Sequence, residues 1–239
     1  AAAPESAAVT APAPPATCDA AYHAREWALA FTLCSAAVKA NVSDVVANRN
    51  LGLLYASGRG VTQDERLATT HLVFAADEAD TIAALEMARR YETGKGTAVD
   101  QRKASGKYLL AANLGVQEAY PILAQRFADG LGVTKNEAEA AKWWARAAVP
   151  PMSHLPSMTR LGAAYMNGRG VKKNEDTGRE WYVKAANAGE AEAQYQVAMM
   201  LFNGKAKMGK DAGAARGWLD RAARQGHAEA IKELAKRGG

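Results

Sequence analysis

The chain has few of the residues on which catalytic and metal centres are commonly built. Two cysteines and four histidines stand among 239 residues, and neither C-x-x-C nor H-E-x-x-H nor G-x-S-x-G occurs. His23, His71, His154 and His227 are scattered over separate stretches, so no metal set is expected. "TGKGT" at Thr93–Thr97 glances at a phosphate loop. That loop needs a glycine five residues before Gly94, where Arg89 stands, and Ser or Thr after Lys95, where Gly96 stands. No apolar run approaches the length of a membrane span. No block of like charge and no basic stripe interleaved with aromatics supports nucleic-acid binding, although the net charge is +5. No cofactor is expected, and the competing class, a cell-wall or β-lactam hydrolase, finds no catalytic constellation.

What the chain does have is alanine and a beat. Hydrophobic residues make up 49% and aromatics only 7%, a composition that suits closely packed helices better than sheets. The opening "AAAPESAAVTAPAPPAT" is too poor in large apolar groups to build a core, so residues 1–17 are expected to be a disordered linker. It reads like the segment after a removed signal peptide, which would place the protein in the periplasm or outside the cell; the alternative is a trimmed cytosolic protein.

From there the sequence repeats. Gly58, Gly94, Gly130, Gly168 and Gly204 follow one another at 36, 36, 38 and 36 residues. Three before each glycine stands Tyr55, Tyr91, Phe127, Tyr165 or Leu201; four before that, Leu51, Met87, Leu123, Leu161 or Val197, each followed by Gly or Ala. Large residues four apart share one helix face, and the small neighbour lets another backbone come close. The glycine sits where a helix ends. Asp64, Asp100, Asn136, Asn174 and Asp211 precede the next amphipathic stretch as N-caps, and Asn136 with Glu139 has the spacing of a capping box. Trp143, Trp181 and Trp218 share one position on that second helix. Each period therefore predicts helix A, a Gly-x-Gly loop and helix B. In the first repeat these run over Val45–Ser57 and Asp64–Glu78.

One such hairpin cannot bury its apolar face alone, so neighbours must stack. The expected array is 44–79, 80–115, 116–153, 154–189 and 190–226, within a single solenoid from 18 to 239. A partial unit precedes it, and a capping helix in 227–239 turns Ile231 and Leu234 inward.

These residues resemble the Sel-one-like repeat family, relatives of the tetratricopeptide repeat. The best copy is "LGAAYMNGRGVKKNEDTGREWYVKAANAG" at Leu161–Gly189. The resemblance implies an all-α, right-handed α/α superhelical solenoid of about five helix–loop–helix repeats, used for protein–protein contact by adaptors, secreted or periplasmic scaffolds, and immunity proteins against toxic effectors. Two departures stand out: "NGKAKMGKD" at Asn203–Asp211 loses the second loop glycine, and "VPPMSHLPSM" from Val149 adds prolines that must break a helix.

In that family the A helices line the concave face. The candidate protein-binding residues are then Asn50, Glu86, Arg89, Arg90, Arg126, Arg160, Gln196, Met199 and Met200, unless some of their columns belong to the core. The expected partner is another protein and the expected state a monomer. Cys18 and Cys34 pose the remaining question. One unbroken helix would hold them roughly 24 Å apart. A turn near Ala24–Arg25 would instead bring them to the same end of an antiparallel pair, where a disulfide would staple the first unit. A disulfide is the expectation, and two free buried thiols the alternative.

Overall fold

The computed structural model describes residues 15–237. Residues 1–14, most of the expected linker, lie outside the described residues, and Thr17 already caps a helix. All the secondary structure among the described residues is helical, and the chain divides into two compact units, Ala1–Asp100 and Gln101–Gly239. The first unit contains α1 (Cys18–His23), α2 (Trp27–Ala40), α3 (Val45–Ser57), α4 (Glu65–Asp77) and α5 (Thr81–Thr93). The second contains α6 (Gln101–Asn113), α7 (Ala119–Asp129), α8 (Glu137–Ala148), α9 (Leu155–Asn167), α10 (Glu175–Asn187), α11 (Ala191–Asn203), α12 (Ala212–Arg224) and α13 (Ala228–Arg237). Within each unit, helices consecutive in sequence pack on one another.

The helix ends follow from side-chain chemistry. Asp64 accepts from the N–H groups of Arg66 and Leu67, both at 2.9 Å, and Asn136, Asn174 and Asp211 cap α8, α10 and α12 in the same way. The capping box at Asn136 forms only half: Asn136 accepts from the Glu139 N–H at 3.1 Å, while the Glu139 carboxylate turns to Lys142. A second capping column, not anticipated from sequence, starts the A helices: Asp44, Asp80 and Glu190 each accept from the N–H three residues on.

The two loop glycines have different tasks. The first is a left-handed C-cap; Gly94, at φ +78°, donates its N–H to the Arg90 carbonyl at 2.8 Å. The second lies against the preceding B helix. A Cβ on Gly132 would stand 1.9 Å from the Gln101 carbonyl oxygen, and one on Gly170 would stand 2.0 Å from that of Glu137. The second glycine is therefore where one repeat touches the previous one. In the last copy Ala206 and Lys207 adopt positive φ instead, and Arg179 donates to the Ala206 carbonyl at 2.6 Å.

The core is narrower than the large apolar columns imply. Leu51, Met87, Leu123, Leu161 and Val197 are buried, as are Ala75, Ala111, Ala147, Ala185 and Ala222 of the B helices. Tyr55, Tyr91, Phe127 and Tyr165 are only half-buried. The closed interior row lies one residue earlier, at Leu54, Arg90, Arg126, Ala164 and Met200. The three tryptophans of the B-helix column each lie under a cation three residues on: Arg146, Lys184 and Arg221 sit 4.5, 5.0 and 4.6 Å from their ring centroids.

At the N-terminal end Cys18 and Cys34 form a disulfide, with Arg25 at positive φ in the turn between α1 and α2. At the other end α13 covers its neighbour through Ala230 and part of Leu234. Ile231 is 48% exposed, contrary to the expected inward position, because the helix turns Ala230 toward α12.

Candidate protein-binding face

The expected binding residues separate into buried and accessible sets, and the buried ones are corrections. Asn50 is fully buried; its Nδ2 donates to Asp19 at 3.1 Å and reaches Cys18 Sγ at 3.6 Å, so it anchors the disulfide-bearing turn. Arg49, beside it, ties Asp19 (2.7 Å) to Asp80 (3.2 Å). Arg90 is 1% exposed and Arg126 3% exposed. Met200 is buried in the core of the second unit. None of these four presents a side chain to a partner: Asn50 is turned to the Cys18–Asp19 end of α1, and Arg90, Arg126 and Met200 stand in the buried column one residue before the large apolar one.

The two buried arginines act as internal bridges. Arg90 donates to the Glu65 carboxylate at 2.9 Å, to Thr69 Oγ1 at 3.3 Å and to the Lys95 carbonyl at 3.4 Å, and its Nε reaches Glu86 at 3.2 Å. Burial works to raise the Glu65 carboxyl, but hydrogen bonds from Gln63, Arg90 and Lys95 outweigh it and hold the group below its usual range. Arg126 repeats the arrangement with neutral partners. Its Nε donates to Ser105 Oγ at 2.7 Å, its Nη2 to Gln101 Oε1 at 2.6 Å, and its Cζ lies 5.2 Å from the Tyr108 ring centroid. Ser105 passes the chain of bonds on to the Leu131 carbonyl at 2.7 Å.

Glu86, Arg89, Arg160, Gln196 and Met199 remain at least partly accessible. Glu86 and Arg89 belong to the first unit. In the second unit Arg160 and Gln196 come together on one open groove with Glu192, Glu190, Thr159 and Tyr182.

 

That groove, of about 620 Å³, is lined on one side by α9 and on the other by α11. Gln196 Nε2 donates to Glu192 at 2.7 Å, and Thr159 Oγ1 donates to Glu190 at 2.9 Å. Burial pushes the Tyr182 hydroxyl up to about 12; the Glu192 carboxylate adds to the shift and Arg160 opposes it. Tyr182 is therefore a neutral donor or acceptor throughout the physiological range.

Arg160 also lines a second hollow, a cavity of about 230 Å³ between α8 and α9 whose walls include Glu137, Trp144, Ala164 and Arg169. The two hollows share Arg160, Ala163 and Asn167, so they adjoin along the surface of α9. Sequence reasoning missed Glu137, Trp144, Tyr182 and Glu192. The available signal was a break in a column: Ala164 and Ala141 stand where the preceding repeat has Arg126 and Ser105.

The Sel1 repeat model matches residues 45–80, 81–116, 118–148, 155–190 and 191–227. The gap after residue 148 is the proline-bearing insertion, which ends with His154 capping α9. Among solved structures, a Sel1 repeat protein from Oxalobacter formigenes is 26% identical, with 89% of this chain and 85% of that one covered at a TM-score of 0.73. A protective antigen present in uropathogenic Escherichia coli strains, displaying an SLR fold, has the same identity, coverage of this chain and TM-score. Only 45% of the antigen is covered, so this chain spans less than half its length. An immunity protein from Pseudomonas aeruginosa aligns at 18% identity over 90% of this chain and 84% of its own, with a TM-score of 0.40, too low to carry an argument. No curated protein matches this chain.

Proposed function

We propose that this chain, which belongs to the Sel1 repeat family, is a non-enzymatic scaffold that binds another protein outside the cytoplasm through the outer surface of α9. The family is a protein-interaction fold. The observation that carries the reading is the pair of hollows sharing Arg160, where the side chains of Arg160, Arg169 and Glu137 make no hydrogen bond or ion pair among the described residues. Charged groups left without internal partners beside an aromatic ring are the elements of a recognition surface. The Cys18–Cys34 disulfide supports an oxidising compartment, because such bonds persist there and are reduced in most cytosols. No helix among the described residues is long and apolar enough to cross a membrane.

The test is capture from an envelope extract by the immobilised chain, compared with Arg160→Glu and with Arg89→Glu as a control on the first unit. The expected result is a partner retained by the wild type and the control but lost by Arg160→Glu. Equal retention by all three would remove the α9 surface from the reading. Turnover of a cell-wall or β-lactam substrate by the purified chain would replace the scaffold with an enzyme. A toxic effector as the captured partner would narrow the function to immunity.

A further inference from the structure

Two successive contacts in the second unit use the same positions with different residues. Where α7 meets α6, Arg126 fills the space and is held by Gln101, Ser105 and the ring of Tyr108. Where α9 meets α8, the corresponding residues are Ala164, Glu137, Ala141 and Trp144. The residue that filled the space and the hydroxyl that helped hold it have both become alanine. The groups that recognise a guanidinium remain, each in a stronger form: a carboxylate replaces the carboxamide, and an indole replaces the phenol. The outcome is the cavity of about 230 Å³, below the ~300–1,000 Å³ of sites that enclose a drug-sized molecule but ample for one side chain.

The first unit shows what a carboxylate at this position does. Glu65, the counterpart of Glu137, holds Arg90 at 2.9 Å. Glu137 has no arginine to hold: its carboxylate makes no hydrogen bond or ion pair among the described residues. Lys135, Arg160 and Arg169 also line it, against one further carboxylate, Asp129, which accepts from Gln125 at 2.8 Å; the three cations outnumber it, so they would repel a lone cation while attracting carboxylates beside it.

We propose that the cavity between α8 and α9 receives an arginine side chain of the partner protein, flanked in its own sequence by acidic residues, with the guanidinium against Glu137 and Trp144 and the acidic flanks on Lys135, Arg160 and Arg169. The proposal rests on the scaffold reading and gives it a ligand chemistry. The partner's arginine takes the place that Arg126 occupies one repeat earlier.

Three blocked tripeptides test it by heteronuclear NMR titration of the full chain: Asp-Arg-Asp, Asp-citrulline-Asp and Asp-Ala-Asp. The expected result is binding of the arginine peptide, with shifts at the Trp144 indole and at Ala163 and Ala164, and affinity roughly tenfold or more weaker for both other peptides. Glu137→Gln, which keeps the shape and removes the charge, is expected to weaken the arginine peptide by a similar factor. Ala164→Arg is expected to abolish binding by filling the cavity from within. Equal binding of the arginine and citrulline peptides, full affinity in Glu137→Gln, or no binding of any peptide would overturn the proposal. Equal binding of Asp-Ala-Asp would overturn it in favour of an anion site on the basic rim. A partner captured equally by the wild type and Glu137→Gln would sink the cavity and spare the scaffold. Peptide binding without any captured partner would do the reverse.

Discussion

The α6–α7 and α8–α9 contacts share a backbone and differ in their interior. Gly132 and Gly170 press against the preceding B helix at the same place, with room for no Cβ at either. Between those matching backbones, one contact encloses a hydrogen-bonded arginine and the other a cavity. The difference separates two tasks that a repeat combines. Glycine and small residues set how closely hairpins stack, while the column before the aromatic is free to be polar, apolar or open. Leu54, Arg90, Arg126, Ala164 and Met200 all occupy it, and each still accepts the N–H of the glycine that caps its helix.

The largest effect expected from breaking this comparison is at the glycines. Gly132→Ala combines a strained positive φ with a clash against a backbone carbonyl that cannot rotate away, a cost of about 3–5 kcal/mol. Gly170→Ala should cost the same within about 1 kcal/mol in urea denaturation, since the two contacts share this feature. A much milder Gly170→Ala would mean that the α8–α9 backbone contact is looser.

Arg126 should distinguish the contacts. Arg126→Ala takes a partner from buried Ser105 and from half-buried Gln101 and opens a hole, for a loss of about 2–4 kcal/mol. Arg126→Met, which installs the residue that α11 carries at this position, should lose less in the same denaturation series. An equal loss would mean that the stem of the arginine adds nothing by packing.

The reverse change is smaller. Ala141→Ser with Ala164→Arg grafts the bridge into the cavity and should raise stability by about 1 kcal/mol, from new hydrogen bonds less the cost of fixing the side chain. Thermal unfolding measures it. A double variant less stable than either single one would show that the α8–α9 space does not match its neighbour.

The smallest effect is on acidification. His154 caps α9, its Nδ1 accepting from the Ser157 N–H at 3.2 Å, and burial lowers its pKa from the ordinary 6.5. The unfolded chain therefore takes up the proton first, so this contribution is complete above pH 6.5 and declines as pH falls toward the folded-state value. His71, buried against Tyr55 and lowered for the same reason, adds a loss of the same sign. His154→Asn keeps a capping group without the titration and should flatten part of the decline between pH 6.5 and 5. An unchanged profile would assign the decline to His71 or elsewhere.

Much of the fold was legible because it repeats. A helix pattern read once is ambiguous, but one read five times in phase fixes its own boundaries, and the first hairpin was placed to within a residue at each end. The caps at Asp64, Asn136, Asn174 and Asp211 followed from local spacing, whereas the Cys18–Cys34 disulfide was one of two readings that the sequence left open. The binding residues were less legible. Arg90 and Arg126 look like surface arginines on an A helix, and only the partner groups on the preceding B helix, 21 to 25 residues away, reveal that they are buried. Ile231 failed for a similar reason: a terminal helix has one neighbour, and its apolar pattern allows more than one rotation against it.

By itself the sequence determined the period, the glycine helix ends, the caps of most B helices and the family, because each depends on residues a few positions apart or on recurrence at a constant interval. The tertiary structure alone decided which member of each helix turn faces the neighbouring hairpin. A shift of one residue rotates a side chain by about 100°, enough to turn a surface arginine into a buried bridge and an alanine into the floor of a cavity.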